Sequence, residues 1–182
     1  MNIKKLVAAA ALMMVALNTQ AQQEVEVGYS YDGNANLSSI QHSLRIAEFA
    51  DDRQGVDPAL IANLDTDYIG EAPLANLVRD AFVQIFSKGG ADVVDSGEGM
   101  VIAGTINSAQ AEIVDRSGVE TIQLTIRTHI QLQDGGRTVY ETTLFGRGRA
   151  PASEGMAAAA RASLDRMVND LARDNYFMIE LE

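Results

Sequence analysis

The chain has 182 residues and a formal net charge of −11, because 25 Asp and Glu residues outnumber 14 Lys and Arg residues. This acidity argues against nucleic-acid binding, since contacts to phosphates need a basic surface. The sequence contains no cysteine, which excludes a disulfide scaffold, a cysteine-ligated zinc or iron–sulfur site and a thiol nucleophile.

The first segment has the three parts of a secretory signal peptide. Lys4 and Lys5 precede an apolar run over residues 6–17, and the small residues Thr19 and Ala21 follow it. We predict a signal peptide over residues 1–21, whose removal takes the net charge from −11 to −13 because two lysines leave with it. No later apolar run approaches the ~20 residues of a membrane-spanning helix, so no membrane span is predicted.

Residues 22–41 are predicted to form an N-terminal arm. Val25, Val27, Tyr29 and Tyr31 occupy every second position, which is typical of an extended strand. No neighbouring segment shows what this strand would pair with.

A single domain is predicted over residues 42–175. It begins with a core strand at 44–49, which is followed by a surface loop over 56–70 containing Asp57-Pro58. Pro73 then opens a helix over 73–88, with its apolar residues on one face and Gly89-Gly90 past its end.

Three strands are predicted next. The first, 100–113, shifts its inward parity near 107–109, as a β-bulge does. The second, 120–133, has one apolar and one polar face, and Asp134-Gly135-Gly136 turns it into a third strand at 137–145.

A second helix is predicted over 154–173, with Ser153 as its N-cap. The C-terminal tail, 176–182, has alternating apolar residues and is expected to form a last strand or an edge-pairing extension. The whole order, β-α-β-β-β-α, predicts an α+β fold in which two helices cover one face of an antiparallel sheet of about four strands.

The residues resemble those of a family of bacterial envelope proteins. Residues 44–53 (LRIAEFADDR) form a strand leading into an Asp-Arg turn. Residues 72–85 (APLANLVRDAFVQI) form a helix with Pro, Leu and Arg-Asp in corresponding places, and residues 100–104 (MVIAG) form a further strand. With the strand pair ending Phe145-Gly146-Arg147-Gly148, they resemble the YajG-like family and, more loosely, the auxiliary lipoproteins of ABC-type transporters and FlgO-type flagellar proteins.

The resemblance covers about residues 42–175 and implies a periplasmic or outer-membrane-associated module without enzymatic activity. The family usually carries a lipidated cysteine after its signal peptide, where this chain has Gln22. No lipid anchor is therefore expected, and the family supplies no catalytic residues.

The residues suited to chemistry are few. His42 and His129 are the only histidines, and two imidazoles without a third ligand make a weak metal site. The acidic loops around Asp51 and Asp65 do not match an EF-hand, and no serine lies in a G-x-S-x-G elbow. Arg147 and Arg149 form a small cationic cluster, which is either a solvated strand end or a site for a carboxylate of a partner.

We therefore expect no enzyme, no cofactor and no metal, but a periplasmic or secreted protein-binding or self-assembling module. Its partner would be an envelope protein or further copies of the chain, and a partner would hold it at the outer membrane. A small-ligand or lipid-binding accessory of an envelope transporter is the alternative, and a hydrolase would require distant carboxylates to converge in one cleft. The predicted partner-binding residues are the alternating apolar residues of the two terminal segments, namely Val25, Val27, Tyr29, Tyr31, Phe177, Ile179 and Leu181.

Overall fold

The computed structural model describes residues 21–182, so the predicted signal peptide, apart from Ala21, lies outside the described residues. Eight strands are present: β1 (Gln22–Val25), β2 (Leu44–Ile46), β3 (Ala50–Asp51), β4 (Leu60–Asn63), β5 (Asp67–Gly70), β6 (Met100–Arg116), β7 (Val119–Asp134) and β8 (Arg137–Pro151). The α-helices are α1 (Leu74–Gly89), α2 (Gly155–Ala172) and α3 (Asn175–Ile179). None of the helices in residues 21–182 has both the length and the apolar character needed to cross a membrane.

A small sheet corrects two expectations. Its order is β1-β5-β4, with β1 parallel and β4 antiparallel to β5. The predicted loop at 56–70 thus contains two strands, and the N-terminal arm has a partner within the chain. Each strand has only four residues, and the buried positions of β4, Ile61 and Ala62, are adjacent rather than alternate, so the sequence lacks the period-two signal of a strand.

The large sheet has five strands of mixed direction instead of about four antiparallel ones. Its path is β2-β6-β7-β8, and β3 also pairs with β6. β2 and β3 both run parallel to β6, because the chain passes through α1 between them and a helical crossover allows parallel pairing.

The long hairpins of this sheet confirm the predicted strands, the bulge and the turn. The register between β6 and β7 shifts between Ile106 and Ser108, within the predicted parity change. Gly135 and Gly136 both have positive φ, which the tight turn between β7 and β8 requires. β8 is longer than predicted and continues to Pro151.

Helices α1 and α2 confirm the two predicted helices, and their buried faces close the core against the large sheet. Ser153 is not the N-cap of α2. It lies in a short 3₁₀ turn over Ala152–Glu154, and Glu154 precedes the helix without a side-chain capping bond.

The C-terminal tail is helical rather than extended. The Asp174 carboxylate caps α3 by accepting hydrogen bonds from the backbone N–H groups of Tyr176 and Phe177. Phe177 is fully buried and packs its ring against those of Phe86 and Tyr140, with centroids 6.0 and 5.4 Å away. The tail therefore seals one part of the core, and an edge-pairing extension is ruled out for it.

Candidate functional site

The outward face of the large sheet, opposite α1 and α2, carries a set of polar and cationic side chains, which we call the open face. In the central strand β7, residues with even numbers from Ile122 to Leu132 are buried, whereas their odd-numbered neighbours point outward. The open face consists of Ser108, Gln110 and Glu112 of β6, Gln123, Thr125, Arg127 and His129 of β7, and Phe145, Arg147 and Arg149 of β8.

Alternation along β8 explains how the arginines come to lie there. Gly146 and Gly148 face α2, where a Cβ atom on Gly148 would lie 2.1 Å from the backbone nitrogen of Ser163. The Ser163 hydroxyl donates a hydrogen bond to the carbonyl of Gly146. Neighbouring residues of a strand point to opposite faces. Because Gly146 and Gly148 face α2 at close range, Arg147 and Arg149 point outward.

A polar chain crosses the three strands at one end of the open face. The Gln123 amide donates to the Glu112 carboxylate, and its carbonyl oxygen accepts from Arg149 Nε at 2.5 Å. The neutral amide therefore joins an acid on β6 to a cation on β8 and orients both side chains.

Further along the same face, an aromatic ring lies among cations. Phe145 is 52% exposed, and the Arg127 guanidinium lies 5.6 Å from its ring centroid, in cation–π geometry. Within residues 21–182, no carboxylate lies within 4.0 Å of Arg127, Arg147 or Arg149. On a chain with a net charge of −11, these three unneutralised cations create a local positive potential.

A groove of about 1060 Å³ runs beside this cationic region. Its floor includes Arg127, Phe145 and Arg147, and its far wall is formed by Leu60 and Asn63 of β4. It also follows the outer edge of β6, where the six consecutive residues 107–112 all line it. In the described part of the chain, no strand pairs with that edge after Ile106, the last partner of β3.

Arg53 lines the groove but is not a free cation. Its side chain is 6% exposed, forms an ion pair with Asp51 at 2.6 Å and donates to the carbonyl of Leu60. Burial alone would raise the pKa of Asp51, but the hydrogen bonds from Arg53 outweigh burial and hold that pKa below its usual value. Arg53 therefore fixes the groove wall, and Arg127 and Arg147 supply its positive charge.

The structure places most of the predicted partner-binding residues inside the chain's own core. Five are buried and two are not, with Tyr29 half-buried and Ile179 65% exposed; the buried five are Val25, Val27, Tyr31, Phe177 and Leu181. A partner could reach those five only if the terminal segments detached.

Side chains of other elements hold the N-terminal arm in place. Glu71 accepts hydrogen bonds from the backbone N–H groups of Val27 and Gly28 at 2.9 and 3.1 Å. Partial burial raises the pKa of Glu71, but these bonds outweigh it and leave the pKa lowered. Arg161 donates to the carbonyl of Val27, and Lys88 to that of Tyr31.

The residues considered for metal binding or catalysis do not converge. His129 has an acidic neighbour, Glu141, at 3.8 Å, and His42 is exposed ahead of β2. Asp51 and Glu71 are engaged by Arg53 and the arm. Among residues 21–182, no three His, Asp or Glu side chains are placed to hold a metal ion.

Comparison with known proteins shows the fold. No family model and no curated protein matches the sequence. A solved structure from Xanthomonas campestris, of the family DUF330, is similar with a TM-score of 0.65 and 16% identity, and the match covers 87% of this chain and 97% of that one.

Two other solved structures are more distant. A minor lipoprotein from Acinetobacter baumannii has a TM-score of 0.46 and 8% identity, with 74% of this chain and 91% of that one covered. A PelC dodecamer from Paraburkholderia phytofirmans has a TM-score of 0.44 and 10% identity, with 77% and 88% covered. The α+β fold of this chain is thus shared with the DUF330 protein, and membership of the YajG-like family stays a prediction.

Proposed function

We propose that the chain is a non-catalytic module of the bacterial cell envelope, exported to the periplasm, that binds another protein or further copies of itself through the open face. The observation that carries this proposal is the set of three arginines without a carboxylate within 4.0 Å among residues 21–182, which share the open face with the exposed ring of Phe145, Arg127 lying against that ring. Arginine and aromatic side chains are enriched where proteins bind one another, and unneutralised cations favour an oppositely charged partner.

The packing of the chain gives the small-ligand alternative less support. Between sheet and helices, where a lipid would have to enter, side chains such as Phe82, Phe86 and Ile102 are fully buried against one another. The groove lies on the opposite side of the sheet and is lined by polar as well as apolar residues. Native mass spectrometry that found a co-purified lipid would favour the alternative.

The proposal is tested by replacing Phe145 with the photo-crosslinking residue p-benzoylphenylalanine in cells of the source organism. The matched control carries the same residue in place of Tyr176, which is 78% exposed on α3. We expect an adduct with one defined protein, or with a second copy, at position 145 only, and we expect Arg147→Glu to abolish it. No adduct at position 145, together with a strictly monomeric chain in light scattering, would refute the proposal.

A further inference from the structure

The edge of β6 beside the groove is covered by the chain itself, so a partner must be recognised on the open face. Cα atoms of β4 lie within 8 Å of Cα atoms of β6, which is less than the two strand spacings, about 9.6 Å, that an added strand between them would need. The central strand β7 pairs with β6 on one side and with β8 on the other. Its backbone groups are therefore already used, and the open face offers a partner its side chains only.

The three arginines of the open face form a line, which we call the arginine row. Arg147 and Arg149 are two residues apart on β8, about 6.8 Å at 3.4 Å per residue. Arg127 pairs with Phe145, so it lies about 6.8 Å along the sheet from Arg147 and one strand spacing, about 4.8 Å, to the side. The arginine row therefore extends over about 14 Å, with Arg147 in the middle.

Neighbouring groups orient the two ends of the arginine row and leave its charges available. Gln123 accepts a hydrogen bond from Arg149 Nε, and the Phe145 ring lies against the Arg127 guanidinium. All three arginines are exposed. Because neither neighbour is negatively charged, the guanidinium groups keep their capacity to bind carboxylates, and their fixed orientation reduces the entropy lost on binding.

Acidic side chains limit the length of the arginine row. Glu112 contacts Gln123 beside the end formed by Arg149. Glu141 lies on the same face beyond Phe145, four residues farther along β8. Both glutamates are exposed and would repel a further carboxylate. The open face therefore suits one carboxylate for each arginine and disfavours a longer acidic run.

The spacing of the arginine row and the cost of burying backbone groups together favour a helix as the occupant. Residues i, i+4 and i+8 of an α-helix lie on one side, with rises of about 6 and 12 Å, which long Arg and Glu side chains can match to the row. An extended segment has a similar spacing, but on the open face it would bury N–H and C=O groups without partners. A helix satisfies these groups internally and packs readily as a layer on a sheet.

The surroundings of the arginine row leave room for such a helix. On one side, β8 is the last strand of the large sheet within residues 21–182. On the other side, the groove ends at the wall formed by Leu60 and Asn63 of β4, and β6 lies between that wall and the row. A helix of about 10 Å diameter can therefore lie over β7 and β8, in contact with the exposed ring of Phe145.

We propose that the open face binds one acidic α-helix of a partner protein, whose carboxylates at i, i+4 and i+8 pair with Arg149, Arg147 and Arg127 in that order. An apolar residue at i+7, beside the last carboxylate, packs on Phe145. This inference rests on the proposed function and names the chemistry of the partner. The arginines provide the preference for acidic over neutral helices, and the apolar contact adds affinity.

The test uses a capped peptide of about sixteen residues, which we call the matched peptide. It is based on alanine, which favours helices, and carries Glu at i, i+4 and i+8 and Leu at i+7. The peptide is titrated into the purified, isotope-labelled protein, and the signals of backbone amides and arginine side chains are followed. We expect shift changes concentrated at residues 123–127 and 145–149, and binding that weakens with added salt.

Three control peptides separate charge, helical spacing and backbone conformation. The first has the composition of the matched peptide, but its glutamates are spread around the helix. The second has Gln in place of Glu, and the third alternates Thr and Glu, which favours an extended chain. We expect the matched peptide to bind at least about tenfold more tightly than each control, since each lacks one of the features that the arginine row selects.

Reversal of the central charge tests the pairing directly. Arg147→Glu is expected to weaken binding of the matched peptide by about tenfold or more. A peptide with Lys at i+4 is expected to bind this variant more tightly than it binds the native protein, because the ion pair is restored with its charges exchanged. Arg137→Glu, the control, makes the same change on β8 about 34 Å from Arg147. It should leave binding within about twofold, because that distance exceeds a Debye length.

Several results would overturn the inference. Equal binding of any control peptide would do so, as would shift changes confined to α1 or α2, or failure of the Lys peptide to rescue Arg147→Glu. Inorganic phosphate that displaced the matched peptide at equal concentration would make the arginine row a general anion site. Concentration-dependent shifts on the open face without peptide, with dimers in light scattering, would make a second copy the occupant.

The experiments also separate this inference from the proposed function. A crosslinked partner at position 145 without binding of the matched peptide would refute this inference alone. Binding of the matched peptide without any crosslinked partner would refute only the proposed function.

Discussion

Replacing Gly148 with alanine should disrupt the contact on which the open face depends. A Cβ atom there would lie 2.1 Å from the Ser163 nitrogen and 2.3 Å from the Ala159 carbonyl oxygen. Both are backbone atoms of α2, so no side chain can move aside. Ordinary contact begins at 3.4 Å, and the helix must therefore retreat by about 1.3 Å, the difference between 3.4 and 2.1 Å.

A retreat of this size affects the whole interface between α2 and β8. A gap of 0.5–1 Å already removes a quarter to a half of each van der Waals contact, and overpacking alone costs about 1–3 kcal/mol. The buried side chains of Leu164 and Met167 share in that loss. We expect Gly148→Ala to lower the free energy of unfolding by about 3 kcal/mol or more, a large part of the 5–15 kcal/mol of a typical domain.

Urea unfolding followed by circular dichroism measures this change. Gly70→Ala is the matched control, since a Cβ there meets its nearest atoms, the Ala72 carbonyl oxygen and the side chain of Ile61, at 3.3 Å, only about 0.1 Å inside ordinary contact. The control is expected to change the free energy of unfolding by less than about 1 kcal/mol. If the free energy of unfolding of Gly148→Ala were also within about 1 kcal/mol of that of the native protein, the close packing of α2 on β8 would be refuted.

Three further predictions concern other parts of the chain. The Thr128 hydroxyl is buried and has no hydrogen-bond partner among residues 21–182, so Thr128→Val should raise the free energy of unfolding by about 1 kcal/mol in urea unfolding, and a loss of stability would contradict this. The lowered pKa of Glu71 means that its stabilisation is present above the ordinary pKa of 4.5 and is lost as the pH falls through the folded-state value. Glu71→Gln should therefore lower the urea midpoint at pH 7 but not at acid pH, whereas Glu24→Gln, at an exposed position, should have no effect at either. Phe177→Ala should lower the free energy of unfolding by about 3–5 kcal/mol, and Ile179→Ala should lower it by less than about 0.5 kcal/mol. Equal losses in the two variants would mean that the tail is not packed as a helix.

Long elements with a repeated pattern could be predicted from the sequence. The helix at 73–88 and the strand at 120–133 each show one apolar face over many residues, so their period identifies them. The bulge was predicted because apolar parity in β6 changes between Ile106 and Ala109, and the structure places the register shift at that point.

Short elements could not be predicted, because their stability comes from distant contacts. β4 and β5 have four residues each and exist through pairing with each other and with β1. The tail has the alternation of a strand, but the Asp174 cap and the aromatic contacts of Phe177 make it a helical turn. In both cases tertiary contacts outweigh the local pattern.

The candidate site shows the same limit. The sequence shows the motif Phe145-Gly146-Arg147-Gly148 as part of a family resemblance and Arg147 and Arg149 as a pair of nearby cations, but it does not show what the glycines do. Only the register with β7, which pairs Arg147 with Thr125 and Phe145 with Arg127, reveals that the arginines share a face with a third cation. A pairwise register is not encoded in the period of a single strand.

One alternation in β8 thus serves both stability and surface chemistry. The inward glycines admit the backbone of α2, and the outward residues present cations that an acidic chain leaves without carboxylate partners. A shift of β8 by one residue would turn Arg147 and Arg149 into the core and the glycines outward, which burial of two charges forbids. The arginines therefore enforce the register in which α2 packs against Gly146 and Gly148. This packing in turn keeps the arginines on the open face. Arg147→Leu would remove one charge from the open face and leave the chain folded, although it would weaken this selection against the shifted register. A partner that binds through charge should therefore be lost before the fold is.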